Sequence, residues 1–337
     1  MTDHPVVDRF NRPLRDLRIS VTDRCNFRCS YCMPEEIFGE RYRFLAREKL
    51  LTFEEITRVA TLMAAQGVSK LRLTGGEPLM RKDLEVLVGM LAKVTGIQDL
   101  AMTTNGYFLP EKAVALRDAG LKRITVSLDS LDNATFRALN GGKSDVDDVL
   151  RGIDAAVDAG FGPIKINAVV KRGVNDHTMV DLARWCKDNG HILRFIEYMD
   201  VGTRNGWRMD HVVPADEIVE RVGAELPLVP LDRSYDSETA LRFGFADGVG
   251  EIGVIASVTR PFCGACSRLR LSPEGQIYTC LFAIHGVDLR DPLRAGASDA
   301  ELTHLIQSVW RARTDRYSEL RGRVDEGEKI EMYYIGG

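Results

Sequence analysis

Eight consecutive residues, Cys25-Asn26-Phe27-Arg28-Cys29-Ser30-Tyr31-Cys32, place three thiols in one short loop. Their spacing lets all three sulfurs reach one small inorganic centre. Structural zinc takes four protein ligands, and so do four-cysteine iron–sulfur clusters. Three ligands leave one metal position open, and an open position is where a substrate or cosubstrate binds. On spacing alone, a zinc knuckle with its fourth ligand elsewhere is the alternative. Cys263, Cys266 and Cys280 repeat the same logic, with His285 as a nearby candidate for a fourth zinc ligand. Cys186, the seventh cysteine, falls at helical spacing with Met179, Leu182 and Ala183 and reads as core.

Two further patterns carry chemistry. Gly75-Gly76-Glu77-Pro78 follows directly on an alternating run. Paired glycines let backbone come close to a ligand and expose N–H groups, and Glu77 adds an acceptor. By itself such a turn also reads as a plain strand-to-helix connection, and Asn105-Gly106 as a plain turn. The second pattern is a set of seven cations, Arg18, Lys70, Arg72, Lys165, Arg194, Arg268 and Arg270, on alternating runs whose other positions are apolar. Thr103, Asn105, Thr125, Ser127 and Asn167 occupy the corresponding polar positions of their own runs.

These residues need elements to hold them. Leu17, Ile19 and Val21 alternate with polar residues, as do Leu71 and Leu73, and further strand candidates are 98–104, 123–129, 163–169 and 191–197. Between them, Ile56, Val59, Ala60 and Met63, then Leu84, Leu87, Val88 and Leu91, recur with helical period, and similar patterns lie near 111–119, 146–160 and 177–189. Strand–helix alternation predicts a parallel sheet with helices outside. Six such strands without a closing seventh and eighth make a partial barrel. If the apolar face of each strand meets the helices, the polar face points inward, where filled barrels carry branched apolar side chains. Unpaired cations are too costly to serve as packing there. The arrangement therefore predicts a wide, wet cavity for a strongly anionic ligand, and a triphosphate suits seven cations. The alternative is that the registers are misread and these residues lie at water-exposed strand ends. Beyond Met199 the alternation breaks, so a second unit starts near 200, with a helix at 299–311.

Composition narrows the class. The chain has 337 residues, 45% hydrophobic and 28% charged, enough for one large α/β barrel-like domain or two smaller ones. A net charge of −4 gives no sign of a nucleic-acid or membrane surface. No stretch approaches ~18 uncharged apolar residues. Residues Met1 to Phe10 lack the apolar centre of a signal peptide. An odd cysteine count, with six of seven in two tight triads, fits reduced cytoplasmic thiols holding metal better than a disulfide framework.

The first triad, with Tyr31 just before its last cysteine, resembles the cluster loop of radical S-adenosylmethionine (SAM) enzymes. The run Asp16 to Arg24 before it, Thr74 to Leu79 after it, the second triad and the final Gly336-Gly337 extend the likeness over nearly the whole chain. Together they resemble the GTP 3',8-cyclase family, which opens molybdenum cofactor biosynthesis. The resemblance implies an incomplete (β/α)6 TIM-like barrel over residues 1–199, its open side covered by residues 200–337. It implies one [4Fe-4S] cluster on Cys25, Cys29 and Cys32, with SAM on the open iron, and a second on Cys263, Cys266 and Cys280, with the guanine of GTP on its open iron. The family's SAM contacts fall on Tyr31, Gly75, Gly76, Glu77, Asn105, Ser127 and Met199. Its GTP contacts fall on Arg18, Lys70, Arg72, Thr103, Lys165, Arg194, Arg268 and Arg270. The implied tail, Gly336 and Gly337, enters the active site. Leu269 stands where relatives commonly carry a small residue, and its side chain should point away from the flanking arginines.

The implied reaction starts with reductive cleavage of SAM to a 5'-deoxyadenosyl radical. That radical takes the ribose 3' hydrogen of GTP, and closure onto C8 leads to 3',8-cyclo-7,8-dihydro-GTP. Implied partners are an external electron donor, a second copy of the chain in a homodimer, and cyclic pyranopterin monophosphate synthase as recipient of the product. Two other readings are a radical SAM enzyme that modifies peptides, which would call for more C-terminal cysteines, and a non-catalytic zinc or electron-transfer protein. Arg24 and Arg28 sit beside the first triad, and spacing gives them no role.

Overall fold

The computed structural model describes residues 5–323 and 327–336. Strands β1 (Asp16–Ser20), β2 (Lys70–Thr74), β3 (Asp99–Thr104), β4 (Arg123–Ser127), β5 (Lys165–Val170) and β6 (Ile192–Glu197) lie side by side, each parallel to the next. Helices Phe53–Ala64, Leu84–Leu91, Leu109–Asp118, Val146–Asp158 and Met179–Asp188 fall between them in sequence. The first starts at a capping box that the sequence spells out. Thr52 Oγ1 accepts the Glu55 N–H at 3.2 Å and Glu55 returns the bond to the Thr52 N–H at 2.7 Å, an exchange worth about 1 kcal/mol.

The apolar strand face packs on the helices as expected. Leu17, Ile19, Leu71, Leu73, Met102, Val126, Ile166, Leu193 and Phe195 join the helical side chains in one core. Leu269 is in that core too, turned away from its neighbouring arginines.

The sheet goes further than six strands. The C-terminal half supplies β7 (Leu228–Leu231), β8 (Leu241–Phe245), β9 (Glu251–Ile255), β10 (Arg268–Leu271), β11 (Gln276–Tyr278) and β12 (Val287–Asp288). The order is β12-β11-β10-β1-β2-β3-β4-β5-β6-β9-β8-β7. Here β10 runs parallel to β1 and β9 parallel to β6, so a seventh and an eighth parallel strand exist. They do not close the barrel, because each pairs on its far side with an antiparallel strand, β11 and β8. One sheet therefore runs through both halves of the chain. The alternation also missed two helices, Asn133–Asn140 and Ala215–Glu225. Among the described residues no helix is long and apolar enough to cross a membrane.

Candidate functional site

The first cysteine loop leaves the carboxyl end of β1 and is braced on several sides. The N–H groups of Arg28 and Ser30 donate to the carbonyls of Asn140 and Leu139 at 3.0 and 2.9 Å, at the end of the helix missed by periodicity. Arg28 gains a role that spacing left open. Its guanidinium donates to the carbonyls of Cys25, Phe27 and Phe38 at 2.7–2.8 Å, holding the loop in its turn. Tyr31 donates its hydroxyl to Asp129 at 2.8 Å, and Asp129 also accepts the Val169 N–H at 2.9 Å, which ties the loop to β5. Burial raises the Asp129 carboxyl to about 6. No local signal in the sequence marked Asp129.

The donor set fits a cationic cluster. Burial, then the Glu77 carboxylate, push the Cys25 thiol up to about 12. Burial and the neighbouring cysteines raise Cys29 and Cys32 as well. Three thiolates this close repel one another unless a cation neutralises them, and a coordinating thiol is deprotonated by its metal. Among the described residues no three His, Cys, Asp or Glu side chains gather around a single metal-ion position. Cys186 is buried in its helix and His285 is exposed, so neither supplies the fourth ligand of a closed zinc site.

The glycine turn lies against this loop, with a different use than the sequence suggested. The N–H groups of Gly76 and Glu77 are not offered to a ligand; both donate at 2.8 Å, to the carbonyls of Thr22 and Arg24. A Cβ on Gly76 would overlap the Arg24 carbonyl oxygen, and one on Gly75 would stand 2.7 Å from that of Thr22. The glycines thus allow two backbone segments to touch. Glu77 is likewise turned inward. Its carboxylate accepts Leu79 N–H at 3.0 Å, Thr104 Oγ1 at 2.7 Å and Asn105 N–H at 2.7 Å, and burial raises it to about 7. Three of its four lone-pair directions are committed within the protein. Asn105 then reaches Asn26 Oδ1 at 2.8 Å and lies 4.0 Å from Cys25 Sγ, at the loop itself. Ser127 ends β4, beside Asn167 of β5.

The polar strand face lines a cavity of about 1150 Å³. Strand register puts Arg270, Arg18 and Arg72 in one row across β10, β1 and β2, where neighbouring strands lie about 4.8 Å apart. Arg72 donates to Thr103 and Thr125 at 2.9 and 3.1 Å, and Arg270 to the carbonyls of Ile335 and Gly336. Arg18 makes no side-chain hydrogen bond or ion pair among the described residues; burial first, then Arg270, Arg268 and Arg72, hold it well below its usual pKa. Thr103, Arg194, Arg268 and Met199 line the same cavity. Lys70 lines an adjoining space of about 430 Å³ with Tyr235, Ser237 and Thr239, on a β7–β8 connection that the sequence did not single out. Burial lowers Lys70 to about 8; burial, then Arg194 and Arg123, lower Lys165 to about 7.

Cys263, Cys266 and Cys280 line the large cavity as well. Burial alone would raise the Cys266 thiol, but Arg268 and Arg313 bring it down to about 6, and Arg268 donates to its sulfur at 3.3 Å. Burial and then Asp315 push Cys280 up to about 12. The tail reaches this space. Met332 lines it, and a Cβ on Gly336 would overlap Thr74 Oγ1 at the end of β2. Tyr333 packs on Phe38 and Met33 and hydrogen-bonds Tyr42 at 2.7 Å, closing the tail over the first cysteine loop. Gly337 lies outside the described residues.

Comparison with known proteins follows this geometry. Residues 19–186 match the Radical SAM superfamily and residues 191–319 match Molybdenum Cofactor Synthesis C. A GTP 3',8-cyclase of Acidothermus cellulolyticus is 55% identical, covering 99% of both chains. One from Xanthomonas campestris pv. campestris is 51% identical over 99% of this chain and 98% of its own. One from Staphylococcus saprophyticus is 44% identical over 98% and 99%. Among solved structures, Streptococcus suis SuiB bound to S-adenosylmethionine aligns with a TM-score of 0.61 at 17% identity, over 89% of this chain and 69% of that one. At that identity the likeness speaks for the fold.

Proposed function

We infer the residue roles below from one premise: the chain belongs to the GTP 3',8-cyclase family of the radical SAM superfamily. It is an enzyme of molybdenum cofactor synthesis that forms a bond between C3' and C8 of GTP, using SAM and a [4Fe-4S] cluster. When bound, the cluster supplies the electron that cleaves the C–S bond of SAM, and the 5'-deoxyadenosyl radical so released takes the ribose 3' hydrogen.

Cys25, Cys29 and Cys32 hold that cluster in our reading. Arg28, the Asn133–Asn140 helix and Asp129 keep their loop rigid. The SAM contacts we assign are Tyr31, Gly75, Gly76, Asn105, Ser127 and Met199. Glu77 we assign to bracing the Asn105 backbone rather than to direct contact. Arg18, Lys70, Arg72, Thr103, Lys165, Arg194, Arg268 and Arg270 take GTP, the arginines as planar forks and the lysines as point charges on phosphate. The observation that carries this reading is the row Arg270–Arg18–Arg72, with a centre that has no partner of its own. An array of mutually repelling guanidiniums in a cavity is matched by a polyanion and by little else.

We further propose a second [4Fe-4S] cluster on Cys263, Cys266 and Cys280, so that residues 1–199 and 200–337 each contribute one. The Gly336-Gly337 tail would support the site from the cavity side, excluding water from the radical. An external electron donor and cyclic pyranopterin monophosphate synthase are the proposed partners. The test is an anaerobic assay of reconstituted protein with SAM, GTP and a strong reductant, followed by mass spectrometry. Deoxyadenosine formed in proportion to a cyclised GTP product is expected; GTP left intact while deoxyadenosine accumulates would overturn the GTP assignment.

A further inference from the structure

A buried ionic network stands behind the second cysteine triad, away from the large cavity. Asp8, Arg12 and Arg313 are 5%, 2% and 4% exposed. The Asp8 carboxylate accepts Arg12 Nε at 2.6 Å and pairs with Arg313 at 3.4 Å. Arg12 Nη1 donates to the carbonyls of Cys263 and Asp315, both at 2.8 Å. Arg313 Nη1 donates to the Cys266 carbonyl at 2.7 Å, and its Nε to Asp315 at 3.2 Å. Trp310 completes the frame, donating to the Arg12 carbonyl at 3.1 Å with its ring centre 4.6 Å from the Arg313 guanidinium. Arg12 Nη2 is buried without a partner.

Such a network is a poor way to add stability, since apolar residues of similar volume usually do as well. Here segments some 300 residues apart in sequence bring two guanidiniums to the backbone of two cysteines. The first triad has no counterpart among the described residues. Its contacts to sulfur are the Phe27 N–H at 3.4 Å and Asn105 at 4.0 Å, the Arg28 fork is spent on carbonyls, and the carboxylates of Glu77, Asp129 and Glu331 lie close by. Reducing a cluster adds a negative charge, which nearby cations and N–H donors favour and carboxylates oppose.

We propose that Asp8, Arg12 and Arg313 act as positioning residues that hold the second cluster at a higher reduction potential than the first. The proposal rests on the two-cluster reading above. The test uses the full chain, wild type and the variants Arg313→Gln, Arg313→Lys and Asp8→Asn, each reconstituted, analysed for iron and titrated by electron paramagnetic resonance at controlled potential. In the wild type the second cluster should be reduced first. Arg313→Gln should disfavour its reduction at least tenfold, which is 59 mV for a one-electron couple, leaving the first cluster unmoved. Arg313→Lys should recover part of the shift. Asp8→Asn removes the counter-charge and should move the second potential upward, a reversal of sign that a merely structural role would not produce.

If Arg313→Gln fails to fold, the sign of the Asp8→Asn shift and the Arg313→Lys potential decide. About eight irons per chain with second-cluster potentials alike in all variants, or with the first cluster reduced before the second in wild type, would overturn the proposal alone. About four irons per wild-type chain and no second signal would remove the two-cluster reading, and the proposal with it.

Discussion

Arg18→Ala separates binding from folding more cleanly than any other change in the cavity. Arg18 lies between Arg72 and Arg270 on adjacent strands and makes no side-chain bond to the rest of the described protein. At an effective dielectric of 20, two charges about 5 Å apart repel by roughly 3 kcal/mol, and water in the cavity reduces this. Removing the guanidinium should therefore leave the ligand-free fold as stable as before or firmer by about 1 kcal/mol, a rise of a few degrees in Tm. The same change removes a charged fork from a phosphate. At 1.5–3 kcal/mol per charged hydrogen bond, a loss of about 3 kcal/mol weakens GTP binding roughly 100-fold. Anaerobic calorimetry with GTP and a thermal melt of the ligand-free protein measure both. Unchanged GTP affinity, or a melt several degrees lower, would refute the reasoning. Arg268 and Arg270 make less clear subjects, because one touches Cys266 Sγ and the other holds the tail.

Two further outcomes are expected. Lys70 and Lys165, held near 8 and 7, titrate below the unfolded value of about 10.4; the unfolded chain thus binds more protons above pH 7, and ligand-free stability should rise with pH from about 7 toward 10. GTP should restore their protons, so binding at pH 8 should take up a substantial fraction of a proton, read by calorimetry in two buffers of different ionisation enthalpy; zero uptake contradicts it. Gly76→Ala places a methyl on the Arg24 carbonyl oxygen, which backbone cannot evade; iron should fall from about eight to about four per chain and deoxyadenosine formation should cease. Full iron with normal SAM cleavage in that variant would sink the packing argument.

Much of this was legible in the sequence because its causes are local. Ligands of a cluster loop must lie within a few residues, so Cys25, Cys29 and Cys32 announce themselves. A strand exposes alternate residues to one face, so Arg18, Arg72 and Arg194 could be assigned to the inside while Leu17, Leu71 and Phe195 went to the core. The capping box at Thr52 and the apolar period of the outer helices belong to the same class.

What the tertiary structure alone decided is which distant segments share a neighbourhood. No local pattern says that β10 pairs with β1, yet that register lines up Arg270, Arg18 and Arg72 and turns scattered cations into an anion site. Glu77 looked like an offered acceptor until the ends of β2 and β3 met and consumed it. Asp8 and Arg313, 305 positions apart, have no reason to be read together until Trp310 and the cysteine backbone place them in one buried volume. Strand alternation and ligand spacing are fixed by bond geometry over a few residues. Which strand lies beside which, and which charge must be paired with which, is settled only when the chain closes on itself and water is removed from between them.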